Sequence, residues 1–117
     1  MATKSLLRAT NTEAVIQITG AGVQEDVIIS LATDILATGD TVTTPSVSIS
    51  TIQHSVSTGA LVARVTAPNI TPIVTVTGSG VLTNTGQFNF SGEPTKDLLV
   101  RIEQGTVTLT LRKESGY

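Results

Sequence analysis

His54 is the only imidazole in the chain, so proton-transfer chemistry at neutral pH would have to begin there. Ser46, Ser48, Ser50 and Ser55 lie close to it in sequence, and Asp34 and Asp40 could supply the carboxylate of a nucleophile–base–acid arrangement. None of these serines occupies a Gly-x-Ser-x-Gly elbow, the turn that exposes a nucleophile above a sheet. A lone His on a Ser/Thr-rich strand reads instead as a polar surface or interface residue. The four Asp residues are dispersed and form no Asp-x-Asp-x-Asp-Gly loop. Glu25 and Asp26 are adjacent, so on a strand they point to opposite faces and cannot chelate together. Gly20-x-Gly22 and Gly78-x-Gly80 precede neither Gly-Lys-Ser/Thr nor a helix whose N-terminus could hold a phosphate. No catalytic residue, metal ligand or cofactor is therefore expected, and the chain reads as something other than an enzyme.

What the chain has in abundance is strand-forming material. Thr, Val and Ile account for 44 of its 117 residues, against one His, no Cys, no Trp, one Tyr and two Phe. Branched residues of this kind fit a pleated, half-buried surface. The core must be aliphatic, because Phe88, Phe90 and Tyr117 are the only aromatics. A Thr-rich strand face is neither firmly core nor firmly solvent, and such a face suits contact with another subunit. The length is that of one domain, 1–117, able to bury its own core. A net charge of −2 and the absence of a basic stripe with interleaved aromatics argue against nucleic acid as a partner. The few aromatics also argue against a carbohydrate platform. No apolar run approaches the length of a signal sequence or a membrane span, so a soluble protein with no membrane partner is expected. Lys4, Arg8, Arg101, Arg112 and Lys113 cluster toward the two ends, while residues 13–97 hold seven acids against Arg64 and Lys96. If first and last strands pair, the protein would have a basic end and an acidic body.

The elements that would position these groups are strands. Residues 13–19 place Ile16 and Ile18 on one face, and Gly20-Ala21-Gly22 is expected to turn the chain into residues 25–31. Thr33-Asp34-Ile35-Leu36 reads as a short turn of helix or an irregular corner, the one place where helix is expected at all. Residues 46–57 alternate cleanly at Val47 and Ile49; the apolar phase then slips by one to Ile52 and Val56, which predicts a β-bulge near Thr51. Ser57-Thr58-Gly59 is expected to close a second hairpin into 61–65. Residues 70–77 follow, and Pro72 marks that strand as an edge. Gly78–Gly86 reads as turns around a short strand, and Phe88 and Phe90 share a face. Residues 97–103 and 106–112 put Leu98, Val100 and Ile102, then Val107, Leu109 and Leu111, on core faces, with Gln104-Gly105 as a two-residue hairpin connection. The expected fold is all-β, an antiparallel β-sandwich of about eight strands, with a jelly roll as one arrangement. Residues 1–12 and 112–117 would be extended terminal contact segments.

The two ends carry a resemblance. Leu109-Thr110-Leu111-Arg112-Lys113-Glu114-Ser115-Gly116-Tyr117 resembles the ending of small virion proteins of tailed bacteriophages, especially marine ones. The start, with Lys4, Arg8 and Asn11-Thr12-Glu13-Ala14-Val15, is similar too, as is the Asp34-Ile35-Leu36 corner within a Thr/Val-rich β domain. The resemblance implies a capsid decoration, or cement, protein: a homo-oligomer, with a trimer favoured, bound to the major capsid protein at the virion's capsid surface and assembled in the host cytoplasm. Lys4, Arg8, Arg112, Lys113 and Tyr117 would then be capsid or subunit contacts, the basic ends steering onto an acidic shell. A tail, neck or fibre-associated virion protein is the alternative within that class. A host-surface or glycan-binding module, or a small hydrolase using His54, is the alternative outside it.

Overall fold

The computed structural model describes residues 2–31, 33–35, 46–66, 69–83 and 96–113, the side chains of Thr66 and Asn69 excepted. Seven strands and no helix occur among them: β1 (Thr3–Ala9), β2 (Glu13–Thr19), β3 (Glu25–Ile29), β4 (Val47–Thr66), β5 (Asn69–Thr83), β6 (Leu98–Ile102) and β7 (Gly105–Lys113). Every pairing is antiparallel, as the composition and alternation lead one to expect. All seven strands belong to one continuous sheet that curls into a half-barrel, and the curl supplies the facing layers of the core.

Two pairs of strands run end to end. β7 lies along residues 56–47 of β4, and β6 continues along residues 64–60 on the same side of β4. On their far side β2 pairs with β7 and β3 with β6, so β3 likewise extends the line of β2. The sheet is therefore five strands wide, in the order β1, β2 with β3, β7 with β6, β4, β5. The breaks in these long strands lie beside one another. Gly20 N donates to Gly105 O at 2.8 Å, Gly22 N to Glu103 O at 2.8 Å, and Ser57 N to Gln104 O at 3.1 Å. The β4–β5 register shifts at the same level, between Val56 and Ala60, opposite Gly78. Every positive φ among the described residues belongs to a glycine on this line: Gly22 (97°), Gly59 (92°), Gly78 (65°) and Gly105 (121°). Side chains on Cβ disfavour such angles, so these glycines are what lets each long strand change direction.

Bending there brings the two halves of the sheet face to face. One core contains Ile16 and Ile18 of β2, Ile49 and Ile52 of β4 and Leu109 and Leu111 of β7 from one half. From the other it contains Val62 of β4, Val76 of β5, and Leu98, Val100 and Ile102 of β6. Each fully buried Leu or Ile contributes about 1.5–3 kcal/mol relative to exposure. Leu31 and Ile35, in the turn after β3, close one side. Arg64 shows how far the sheet folds over. It is 1% exposed, in phase with Val62, and its Nη2 donates to the carbonyl oxygen of Val47 at 2.8 Å, while Nη1 donates to Lys96 O at 3.1 Å. Val47 and Arg64 are the start and near-end of one strand, 17 residues apart. A straight strand would separate them by about 56 Å, whereas the longest dimension of the molecule is 37 Å.

The bulge expected near Thr51 is present: the β4–β7 register shifts between Ile49 and Thr51, which returns Ile52 and Val56 to the core. β5 pairs only with β4 among the described residues, as Pro72 implies. Three expected hairpins are corrected. Gly20-Ala21-Gly22, Ser57-Thr58-Gly59 and Gln104-Gly105 do not reverse the chain; they are the corner crossings of continuous strands. A corner and a tight turn both use glycine at positive φ, so local chemistry does not separate them. The chain reverses instead between β4 and β5, where Thr66 pairs with Asn69. Residues 1–12, expected as an extended segment, include β1, which pairs with β2. The expected turns at Thr38-Gly39-Asp40 and Ser91–Pro94, the Phe88/Phe90 face and residues 114–117 lie outside the described residues.

The glycine corner makes unequal demands along its length. A Cβ on Gly105 would run into the Ser55 carbonyl oxygen and within 2.6 Å of Val56 Cα, whereas one on Gly78 would meet nothing within 4 Å. Gly78→Ala should cost about 1–2 kcal/mol from its backbone angle alone, and Gly105→Ala more than about 3 kcal/mol from angle and clash together. Urea unfolding of both variants measures this. Equal losses would contradict a tightly packed crossing at Gly105.

Candidate functional site

Alternation dictates that each strand which buries Val, Ile or Leu inward presents the intervening residues outward. Registers across five strands align those residues into rows. One row runs Thr3, Thr19, Thr106, Ser55, Ser79. The next runs Ser5, Gln17, Thr108, Gln53, Val81, and the third Arg8, Val15, Thr110, Thr51, Thr83. Arg8 is the only charge in the array. Each Thr offers a hydroxyl that donates and accepts beside a methyl that can be buried, so the face can take both polar and apolar contacts. Gln17 Nε2 already donates to Thr108 Oγ1 at 3.5 Å, and Ser79 Oγ to Ser55 Oγ at 3.3 Å, tying neighbours within the rows. A shallow groove of about 330 Å³ lies along the middle row, between Gln53, Val81 and Thr108. The same side of the other half differs: Ile28, Leu99, Ala63 and Pro72 align there, with Leu99 and Ala63 buried, next to the pair Asp26 and Arg101.

The cations expected at the ends are placed unevenly. Lys4 Nζ reaches across to the β3 side, 2.7 Å from Asp34 Oδ2 and 2.9 Å from the Ile28 carbonyl oxygen. Asp34 Oδ2 also accepts from Ser30 N at 2.7 Å, so Asp34, in the turn after β3, anchors β1, while Leu36 lies outside the described residues. Arg8 lies 3.7 Å from Glu13 in an exposed pair. Arg112 is exposed, opposite Glu13 and Ser48 in register. Lys113 is in phase with Leu111 and only 6% exposed, so its side chain belongs to the mouth of the core. Tyr117 lies outside the described residues. Of the described cations, the two on β1 each lie beside an acid of the body: Lys4 beside Asp34 and Arg8 beside Glu13.

His54 Nδ1 donates to the Gly78 carbonyl oxygen at 3.0 Å, and the imidazole lies over Gly80, where a Cβ would come within 3.3 Å of Nε2. Ser55 faces the opposite side of β4, and Asp34 is held by Lys4. Asp40 lies outside the described residues. Among the described residues no group of three His, Asp or Glu side chains could share a metal ion.

Three charged residues, Arg64, Asp26 and Arg101, have partners that the sequence did not name. Arg64 had a signal: two-residue periodicity with Val62 turns it inward. The pair of Asp26 and Arg101 is 75 residues apart and depends on the β3–β6 register, which no local pattern reveals. Arg101 Nε and Nη2 donate to the two carboxylate oxygens of Asp26 at 2.7 and 3.1 Å. This side-chain hydrogen bonding holds the Asp26 carboxyl below its ordinary value of 3.8; partial burial opposes the effect, and the guanidinium charge adds to it. Because the folded-state value is depressed, the pair's stabilisation is present above the ordinary value and is lost as pH falls through the folded one. Both side chains are well exposed, so salt screens the contribution. In Arg101→Gln, an NMR titration should find the Asp26 carboxyl moved up toward 3.8. No upward movement would contradict the pairing.

No protein-family model, no curated protein and no solved structure matches this chain.

Proposed function

We propose that this protein is a structural binding module of a bacteriophage particle, a capsid decoration protein that seats on the major capsid shell. The observation that carries the reading is the outer face of three aligned Thr/Ser/Gln rows across five strands. The resemblance of the two ends to small virion proteins supplies the class of particle. Charge depletion is the compositional mark of the centre of an interface, and this face carries Arg8 alone. A rigid sheet also presents its hydroxyls at fixed spacings, so few side chains need ordering on contact.

Size limits how such a face can bind. Strands about 4.8 Å apart and rows about 6.6 Å apart give a patch on the order of 20 by 13 Å, well below a standard stable interface. A single copy would hold weakly. Several linked copies on a repeating shell would hold through avidity, which suits a decoration protein. Purified shells of the phage that encodes the chain, sedimented with added protein, should bind hundreds of copies per particle saturably. Thr108→Lys with Gln53→Lys, which charges the middle of the face, should weaken that binding at least tenfold. No association at low or high salt would overturn the reading, and about a dozen copies per particle would place the protein in a neck or tail ring instead.

A further inference from the structure

Three strands pair with one neighbour only among the described residues: β1, β3 and β5. An edge strand presents backbone donors and acceptors to any matching strand, and soluble proteins usually guard it with charge, proline or a bulge. β1 has Lys4, Arg8 and a register shift at Leu7; β3 has Glu25 and Asp26. These two strands are also tied together, by Lys4 Nζ to Ile28 O and by Ala2 N to the Glu25 carboxylate. β5 differs. It is 15 residues long and contains no charged residue. Pro72 and the register shift beside it protect only its first part, so from Val74 to Thr83 it has neither charge nor proline.

We infer that residues 74–83 of β5 pair antiparallel with the same residues of a second copy of this chain about a twofold axis. Antiparallel strands related by a twofold are self-complementary, because each residue offers its partner the groups it receives. Charge selects the edge. Self-pairing of β1 would bring lysines and arginines together, and self-pairing of β3 would bring carboxylates together, whereas β5 meets no such repulsion. Val81, 57% exposed on β5, would gain cover from the facing strand. A heterologous ring would need a second uncharged edge, and β1 and β3 both carry charged residues. The pairing doubles the hydroxyl face but does not depend on that face binding a shell.

Light scattering after size exclusion, on the full chain without any shell, reads the association directly. The expected mass is twice 12.1 kDa. Ser79→Lys with Val81→Lys, both outside the core, should shift the protein to monomer and weaken self-association at least tenfold. Thr3→Lys with Ser5→Lys, on β1, should leave the dimer intact. A wild-type mass of one or three chains, or an unchanged dimer in the β5 variant, overturns the inference. Should the β5 variant fail to fold, hydrogen exchange of the wild type decides. Amides of residues 74–83 gain protection with rising protein concentration if the edge pairs, and concentration-independent exchange overturns it. A wild-type dimer that fails to bind shells would count against the proposed function alone.

Discussion

Each of the four long strands crosses one line of the sheet, and each does so on a glycine at positive φ. On that constraint the rest depends. Without the corner, β4 would be a straight strand of 20 residues in a flat sheet whose apolar face had nothing to cover it. With the corner, the inner faces of both halves meet, and a chain with almost no aromatic residues closes a core of Val, Ile and Leu. Arg64 then reaches from one end of β4 to the carbonyl at the other. Burying a guanidinium is costly, and the bonds from Nη2 to Val47 O and from Nη1 to Lys96 O offset part of that desolvation and hold the two halves in one arrangement.

The inner face was legible in the sequence, and the chain's path was not. Ile16, Ile18, Val107, Leu109 and Leu111 alternate strictly, and burial follows alternation. The bulge beside Thr51 was legible for the same reason, because a slipped phase has to be absorbed somewhere. The glycine segments misled in a systematic way. At Gln104-Gly105 the local chemistry satisfies a hairpin, and the outcome is set by what lies alongside. Gly105 is pressed against Ser55 and Val56 of β4, a contact between residues some 50 positions apart. Strand order is a property of such contacts. The candidate face shows the same split: its Thr and Ser content was evident from composition, while its rows exist only once five registers are fixed.

The same partition explains how charge is used. Salt bridges from Lys4 to Asp34 and from Arg101 to Asp26 consume cations that might otherwise have formed a steering patch. They anchor β1 near the corner after β3 and pin β3 to β6. What remains for contact is a surface with little charge: a hydroxyl face on one half and a long uncharged edge at β5. Affinity on such surfaces comes from backbone and hydroxyl hydrogen bonds with buried methyls, and salt should affect it little. That suits a module gaining strength from repetition.

The most direct test of the corner is a nuclear Overhauser map of backbone protons across the sheet. The account predicts contacts from Val62 to Val100, from Ile52 to Leu109 and from Ile18 to Val107, with β6 and β7 following one another beside β4. A contact between Val100 and Leu109, the pairing that a hairpin at Gln104-Gly105 would create, would contradict it.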